Sequence, residues 1–371
     1  MMKISHLTSV HPRIDTRIFH KMCSSLAANG FTVSLVVADG LGDNERNNVH
    51  IYDVGKFRGR FNRICSAPQR VFKKAISLDA DLYQLHDPEL IPIGLKLKKL
   101  GKIVIFDAHE DLPKQMLTKP YLNRPTRWFL SRLLAFYESR ISGKFDAIVT
   151  ATPAIRDKYF QFNTNVVDIN NFPLLGELAS FTAWRDKKSQ ICYIGGISAI
   201  RGAREIIRAM EHVKSSARLQ LAGRFTAPEF EGEVKSYPGW TRVDAHGFVN
   251  RDEVRKILEE SVAGIVSFHP VPNHLDAQPN KMFEYMSAGI PVIASHFPLW
   301  KEIILGNQCG ICVDPLQPKE IAAAIDFLVS NPDEAESMGT KGRAAVEERY
   351  TWSTEGKKMI NLYNQLLAEN D

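Results

Sequence analysis

The densest concentration of chemistry-bearing side chains is Asp276-Ala-Gln-Pro-Asn-Lys-Met-Phe-Glu284-Tyr-Met-Ser-Ala-Gly289-Ile-Pro291-Val292. Pro279 suits the first position of a helix. The backbone N–H groups after it then lack intrahelical partners and point outward as an anion site. Lys281 adds a positive charge beside them. Glu284 lies about one and a half helical turns in, where a carboxylate can accept hydrogen bonds from both hydroxyls of a ribose. Taken alone, Glu284 reads equally as a solvated acid on an ordinary helix. Asp276 stands eight residues earlier in an irregular loop, placed to hold sugar hydroxyls.

A second phosphate candidate is Tyr193-Ile-Gly195-Gly196-Ile-Ser-Ala-Ile-Arg201-Gly202. A strand ends in Gly195 and Gly196, which allow close backbone approach, and a helix starts after Gly202. The planar fork of Arg201 can clamp a diphosphate. Leu221-Ala-Gly223-Arg224 repeats the theme, with Arg224 just past a strand end. In the first half, His11, His86 and His109 each follow a strand signal, which points to one edge of a sheet and one wall of a cleft. Their spacing does not resemble a zinc motif. Cys309-Gly-Ile-Cys312 has the spacing of a metal or redox pair but sits in an apolar stretch, and reads as two buried strand cysteines.

These residues need elements to hold them. Length, 371 residues, sets a prior of two domains. Apolar residues make up 44% and charged residues 24%, which excludes a disordered chain or a short disulfide scaffold. No apolar run has membrane-spanning length, and Met1-Met2-Lys3-Ile4-Ser5-His6 lacks the apolar core of a signal peptide. Cytosolic placement is the expectation. Strands are expected at 3–8, 31–38, 82–86, 103–107 and 147–150, with a helix over Asp15–Asn29 and others between. The second half repeats the scheme, with strands at 191–194, 219–222, 263–268, 291–294 and 310–313. Helices are expected at 203–214, 251–260, 280–288 and 318–329, and through most of the last 40 residues. This alternation predicts an α/β fold of parallel sheets. Residues 1–171 carry 25 Lys and Arg against 16 Asp and Glu, while residues 172–371 carry 22 against 26. The joint is placed where the balance changes sign, giving domains at 1–171 and 172–350 with different partners and a C-terminal helix at 351–371. Ligands of such sheets lie beyond the carboxyl ends of strands, here in a cleft at the domain interface.

Two stretches are basic and aromatic together. Lys56–Lys74 holds Arg58, Arg60, Arg63, Arg70, Lys73 and Lys74 and no acid. Arg124–Lys144 holds Arg127, Trp128, Phe129, Arg132 and Leu133. Each reads either as a solvated face with core anchors or as a surface that meets anionic lipid head groups or a phosphorylated acceptor. Nucleic acid is not indicated.

At Lys281–Val292 and Gly310-Ile-Cys-Val-Asp314-Pro the chain resembles the retaining GT-B glycosyltransferases of family four, the glycosyl transferases group 1. His11-Pro-Arg-Ile-Asp15-Thr-Arg-Ile-Phe-His-Lys21 and His86-Asp87-Pro88-Glu89 resemble members that build surface polysaccharides such as O-antigen and capsule. The resemblance implies two Rossmann-like domains facing across a cleft, 1–171 binding the acceptor and 172–350 the nucleotide sugar, with the helix 351–371 packing back on the first. It also implies transfer of a sugar from a nucleotide diphosphate sugar, UDP ahead of GDP. The acceptor it implies is lipid-linked or polysaccharide, at the inner face of the membrane. It implies that Glu284 binds the ribose and Asp276, in place of the usual glutamate, contacts the donor sugar. Arg201 and Lys281 neutralise the diphosphate, with Gly195, Gly196, Arg224, Met282 and Phe283 completing the nucleotide site. His109 matches the histidine near the reacting sugar. Gly196 stands where the family often has an arginine, and Val10-His11-Pro12 replaces the usual glycine pair of the first loop. No metal or other cofactor is implied. The alternatives are a nucleotide-sugar epimerase of the same fold and a non-catalytic nucleotide-binding subunit.

Overall fold

The computed structural model describes residues 2–57, 59–119, 121–178 and 182–369. The chain divides into two compact units, Met1–Asn171 with Trp352–Asp371, and Phe172–Thr351. Each is built on its own sheet.

In the first unit the strands are β1 (Lys3–Leu7), β2 (Thr32–Val37), β3 (Asn44–Arg46), β4 (Val49–Asp53), β5 (Leu82–Leu85), β6 (Ile103–Ala108), β7 (Ala147–Thr150) and β8 (Val166–Asp168). They lie in the order β3-β4-β2-β1-β5-β6-β7-β8. Every neighbouring pair is parallel except the antiparallel edge β3–β4. In the second unit β9 (Gln190–Ile194), β10 (Arg218–Ala222), β11 (Val243–Gly247), β12 (Ala263–Val266), β13 (Val292–Ser295) and β14 (Gly310–Val313) form an all-parallel sheet. Its order is β11-β10-β9-β12-β13-β14. The central strands β5, β6, β7, β12 and β13 are buried throughout. That is why they read as short continuous apolar runs: both faces carry helices.

The order in which strands are added reverses once in each sheet. In the first unit the chain moves outward from β1 through β2, then returns to start β5 on the other side. In the second unit it does so between β9 and β12. Such reversals splay the loops that leave adjacent strands in opposite directions and open a crevice at their carboxyl ends.

Several elements differ from the sequence reading. The segment expected as one helix from Asp15 is a wide π-type turn, Thr16–Cys23, running into a short α-helix, Ser24–Ala28. Its opening is fixed by Asp15, whose carboxylate accepts from the N–H groups of Arg17 and Ile18 at 2.8 and 2.9 Å. Strands β3, β4, β8 and β11 were not expected. β3 is fully exposed and β11 mostly so, and polar edge strands give no apolar run to read. The helix Trp352–Ala368 belongs to the first unit: Trp352 Nε1 donates to Ser25 Oγ at 2.8 Å, and Glu355 accepts from the Asn170 N–H at 2.7 Å. No helix among the described residues is long and apolar enough to cross a membrane.

Candidate functional site

In the second unit the crevice is built by the loops after β9 and β12 together with the helix Asn280–Ser287. Two glycines let the loops close. Gly202 has φ +74°, and a Cβ there would stand 1.7 Å from the Ser267 carbonyl oxygen. Gly223 has φ +147°, and its Cβ would stand 1.8 Å from the Gly195 oxygen. No other residue fits either place. The helix is locked to the sheet by Tyr285, whose ring lies against Gly264, 2.3 Å from where a Cβ would be. The Tyr285 hydroxyl accepts from the Ile194 N–H at 3.0 Å, at the residue before Gly195. This joint fixes where Lys281 arrives.

Lys281 is 8% exposed, and its Nζ has no hydrogen-bond partner. The ammonium stands 3.6 Å from the Tyr193 ring centroid and 5.4 Å from that of Phe268. A Cβ on Gly195 would lie 3.3 Å from it. Burial, and then the charge of Arg201, hold its pKa well below the ordinary lysine value. Arg201 packs over Phe268 at 5.7 Å, and its Nη1 reaches the Gly196 carbonyl at 3.5 Å. Gly195, Gly196, Arg201 and Lys281 are therefore brought together. Beside them, Ser267 Oγ and Gln278 Oε1 are also buried without partners. A protein interior rarely leaves buried polar groups unpaired, and here three lie on the segments that follow β12 and open the helix Asn280–Ser287.

Glu284 lies deeper on the same helix. Its Oε1 pairs with Arg251 Nη1 at 2.9 Å, and Arg251 Nε pairs with Glu177 at 2.8 Å. The two carboxylates outweigh burial and raise the Arg251 pKa. Asp276 is exposed on the loop between β12 and the helix. Pro279 caps the helix rather than occupying its first position. Met282 and Phe283, taken from the motif as nucleotide contacts, are corrected: both are buried in the core, Phe283 with its ring 4.8 Å from Phe172, and the Met282 N–H donates to Pro279. Helical periodicity turns them away from the face that carries Lys281 and Glu284. Arg224 stands over Phe248 at 4.5 Å. It lines a cavity of ≈ 510 Å³ with Ile197, Gly223, Phe225 and Phe248, on the side of the Gly195 loop where Gly223 packs.

The first unit has its own crevice, after β1 and β5. Asp87 gathers it, accepting from Thr8 Oγ1 at 2.8 Å and from the Ser9 N–H at 2.6 Å. His11 lies 3.4 Å from Asp87 and 3.5 Å from Asp15. Burial opposes charge on His11, but the hydrogen bond to Asp15 and the fields of Asp87, Asp15 and Asp107 outweigh it and raise the pKa. His109 meets His11 edge-on, ring centroids 5.2 Å apart, and its buried Nδ1 has no partner. Burial lowers the His109 pKa, against the pull of Asp107. His86, grouped with these two in the sequence, does not join them. It points inward, its Nε2 2.8 Å from His6 Nδ1 and its Nδ1 3.0 Å from Asp107. Arg17 completes that buried cluster through both nitrogens on Asp107, at 3.2 and 2.9 Å.

Of the basic stretch at 56–74, Arg58 and the side chain of Arg60 lie outside the described residues. Arg63 pairs with Glu89 at 3.1 Å, Arg70 stacks on Phe57 and donates to the Val54 carbonyl, and Lys74 caps the Tyr52 ring. Lys73 is exposed. Cys309 is buried and Cys312 half-buried at β14, and burial pushes their thiols up to about 12 and about 11. Reasoning from sequence missed Ser267, Gln278, Tyr285 and Arg251. Ser267 carried a usable signal, its place just past an apolar strand; the others carried none.

Comparison with known proteins decides the family. The model for glycosyl transferases group 1 matches residues 177–345, and that for glycosyltransferase family 4 matches residues 16–171, between them most of the chain. The chain belongs to the GT-B glycosyltransferases of group 1. An uncharacterised glycosyltransferase of Methanocaldococcus jannaschii is 27% identical over 182 residues, 48% of this chain and 45% of that protein. The chain thus matches about half the length of that relative. Sucrose-phosphate synthase from Thermosynechococcus elongatus has the same fold, with TM-score 0.79, 17% identity and all of both chains covered. So does HepE of Anabaena, determined with UDP and glucose, at TM-score 0.76 and 14% identity over 98% of this chain and 100% of that one. The GT-B chain's two Rossmann-like sheets are those of these structures.

Proposed function

We propose that this GT-B protein transfers a hexosyl group from a nucleotide diphosphate sugar to a lipid-linked or polysaccharide acceptor of the cell surface, with retention of anomeric configuration. The observation that carries the reading is the Lys281 ammonium, buried, unpartnered and facing the Gly195 loop. An anion of the size and charge of a diphosphate satisfies it. As the anomeric bond breaks, charge develops on the leaving diphosphate. Arg201, Lys281 and the positive end of the dipole of the helix Asn280–Ser287 stabilise that charge where it forms, which is electrostatic catalysis. Those protein cations meet the charge without a metal. Glu284 takes the ribose hydroxyls on the oxygen that Arg251 leaves free, and Asp276 takes the donor sugar. In the first unit, the open Nδ1 of His109 orients a hydroxyl of the sugar or acceptor. UDP is favoured over GDP on the likeness to HepE, which was determined with UDP. The surface-glycan acceptor, and work at the cytosolic face of the membrane, rest on the resemblance at His11–Lys21 and His86–Glu89.

The test is release of UDP or GDP from a panel of nucleotide sugars, with and without polyprenyl-phosphate-linked sugars. Acceptor-dependent release from one donor, with product of unchanged anomeric configuration, supports the proposal. Isomerised sugar formed without acceptor, or no turnover of any donor by folded protein, rejects it.

A further inference from the structure

The helix Arg124–Ile141 is amphipathic the wrong way round for a protein in water. Its exposed positions recur along one stripe, and that stripe holds Trp128, Phe129, Leu133, Phe136 and Tyr137, exposed by 59%, 61%, 51%, 58% and 39%. The buried positions opposite include Ser131 and Glu138. Ordinary surface helices put the aromatic stripe inward and the acid outward. The inverted orientation is pinned. Ser131 Oγ donates to the Pro113 carbonyl at 2.9 Å. Glu138 accepts from Lys158 Nζ at 2.6 Å and from the Tyr159 hydroxyl at 3.0 Å. Rolling the aromatics inward would expel a carboxylate held by two partners. The reading of these aromatics as core anchors is thereby overturned.

The charges on the helix say what covers the stripe. It carries Arg124, Arg127, Arg132 and Arg140 and a single acid, Glu138, which faces inward against Lys158. Arg132 lies over the Trp128 ring at 5.7 Å and Arg140 over Phe136 at 5.0 Å, guanidiniums held at the edge of the apolar stripe. Aromatic side chains flanked by arginines on one helix face match the boundary between acyl chains and head groups. Rings enter there, and long basic side chains reach anionic phosphates. A second copy docked through the same stripe would set arginines against arginines with no acid between them.

We propose that the helix Arg124–Ile141 is the surface by which this protein docks on an anionic lipid bilayer, lying in the plane of the interface without crossing it. This places the lipid contact here rather than on the stretch at 56–74, where Arg63, Arg70 and Lys74 are engaged locally. The inference stands apart from the donor site, so either can fail alone.

The test is cosedimentation of the full chain with vesicles of phosphatidylcholine alone or mixed with phosphatidylglycerol, comparing wild type, Phe129→Ser with Phe136→Ser, and Arg132→Gln with Arg140→Gln. All four positions are exposed, and an unchanged melting temperature shows that each variant folds. Wild type should bind the mixed vesicles and release at high salt. The arginine pair should weaken that binding by roughly thirtyfold, and the phenylalanine pair should abolish it. Failure of wild type to bind, equal binding by the phenylalanine variant, or a lipid-free dimer that the substitutions dissolve would overturn the proposal.

Discussion

Replacing Lys281 by methionine separates a functional strain from a structural support. The side chain is 8% exposed and its Nζ has no partner. An unpaired buried donor costs about 1–3 kcal/mol. The Tyr193 face at 3.6 Å returns about 0.5–2 kcal/mol of that while the group is charged. Methionine keeps the volume and removes both, so the nucleotide-free fold should gain about 1 kcal/mol. For a unit of this size that raises the melting temperature by about 2–4 °C. The pH dependence has a definite sign. The folded pKa lies below the unfolded value of 10.5, so the unfolded chain binds the proton more tightly at neutral pH. The wild type therefore recovers as pH rises towards 10.5, and the advantage of Lys281→Met narrows. Nucleotide binding should move the other way. A charge-assisted hydrogen bond is worth about 1.5–3 kcal/mol, so affinity for a nucleoside diphosphate should fall about tenfold to a hundredfold. Thermal unfolding without ligand and calorimetric titration with UDP and GDP read the two effects. A variant that melts several degrees lower yet binds nucleotide as tightly would refute the reasoning, because Lys281 would then be holding the fold together.

Three further outcomes follow from particular contacts. Gly202→Ala places a Cβ 1.7 Å from the Ser267 oxygen at φ +74°, so by thermal melting it should destabilise the second unit by about 3 kcal/mol. Asp107→Asn leaves the buried Arg17 guanidinium without its countercharge; the cost should be about 3–5 kcal/mol in denaturant unfolding, and a loss below 1 kcal/mol would contradict the buried pair. By NMR titration His11 should protonate above and His109 below the ordinary histidine value. The stabilisation from His11 is then complete below about pH 6.5 and lost as pH rises through its folded pKa, so His11→Gln should lose stability against wild type mainly on the acid side.

The two sheets were legible because their central strands are short apolar runs ending in Gly, His or Asp, a pattern that both-faced burial imposes. The polar edges β3 and β11 were not, since a strand open to water on one side carries no such run. At the site, the convergence of Gly195, Gly196, Arg201 and Lys281 could be anticipated because each stands just past a strand or opens a helix. Arg251 could not: it reaches Glu284 from a distant helix, a tertiary contact without a local signature. His86 misled because its position after a strand is the same as that of His11 and His109. Only the partner His6, on the inner side of β1, shows that it faces the interior. The helix Arg124–Ile141 misled for the opposite reason, since its apolar period is that of a core helix and the direction it faces is set by Ser131 and Glu138.

The central claim is that the crevice after β9 and β12 holds a nucleoside diphosphate with its ribose on Glu284. The most direct measurement is thermal shift of wild type and Glu284→Ala with saturating UDP and GDP in parallel. Ligand at about 100 times its dissociation constant stabilises the fold by about 2.7 kcal/mol, so one nucleotide should raise the wild-type melting temperature by several degrees. The variant should lose that rise while melting without ligand near the wild-type temperature, because Arg251 keeps Glu177 as a partner. Equal shifts in both proteins, or none with either nucleotide, would contradict the account.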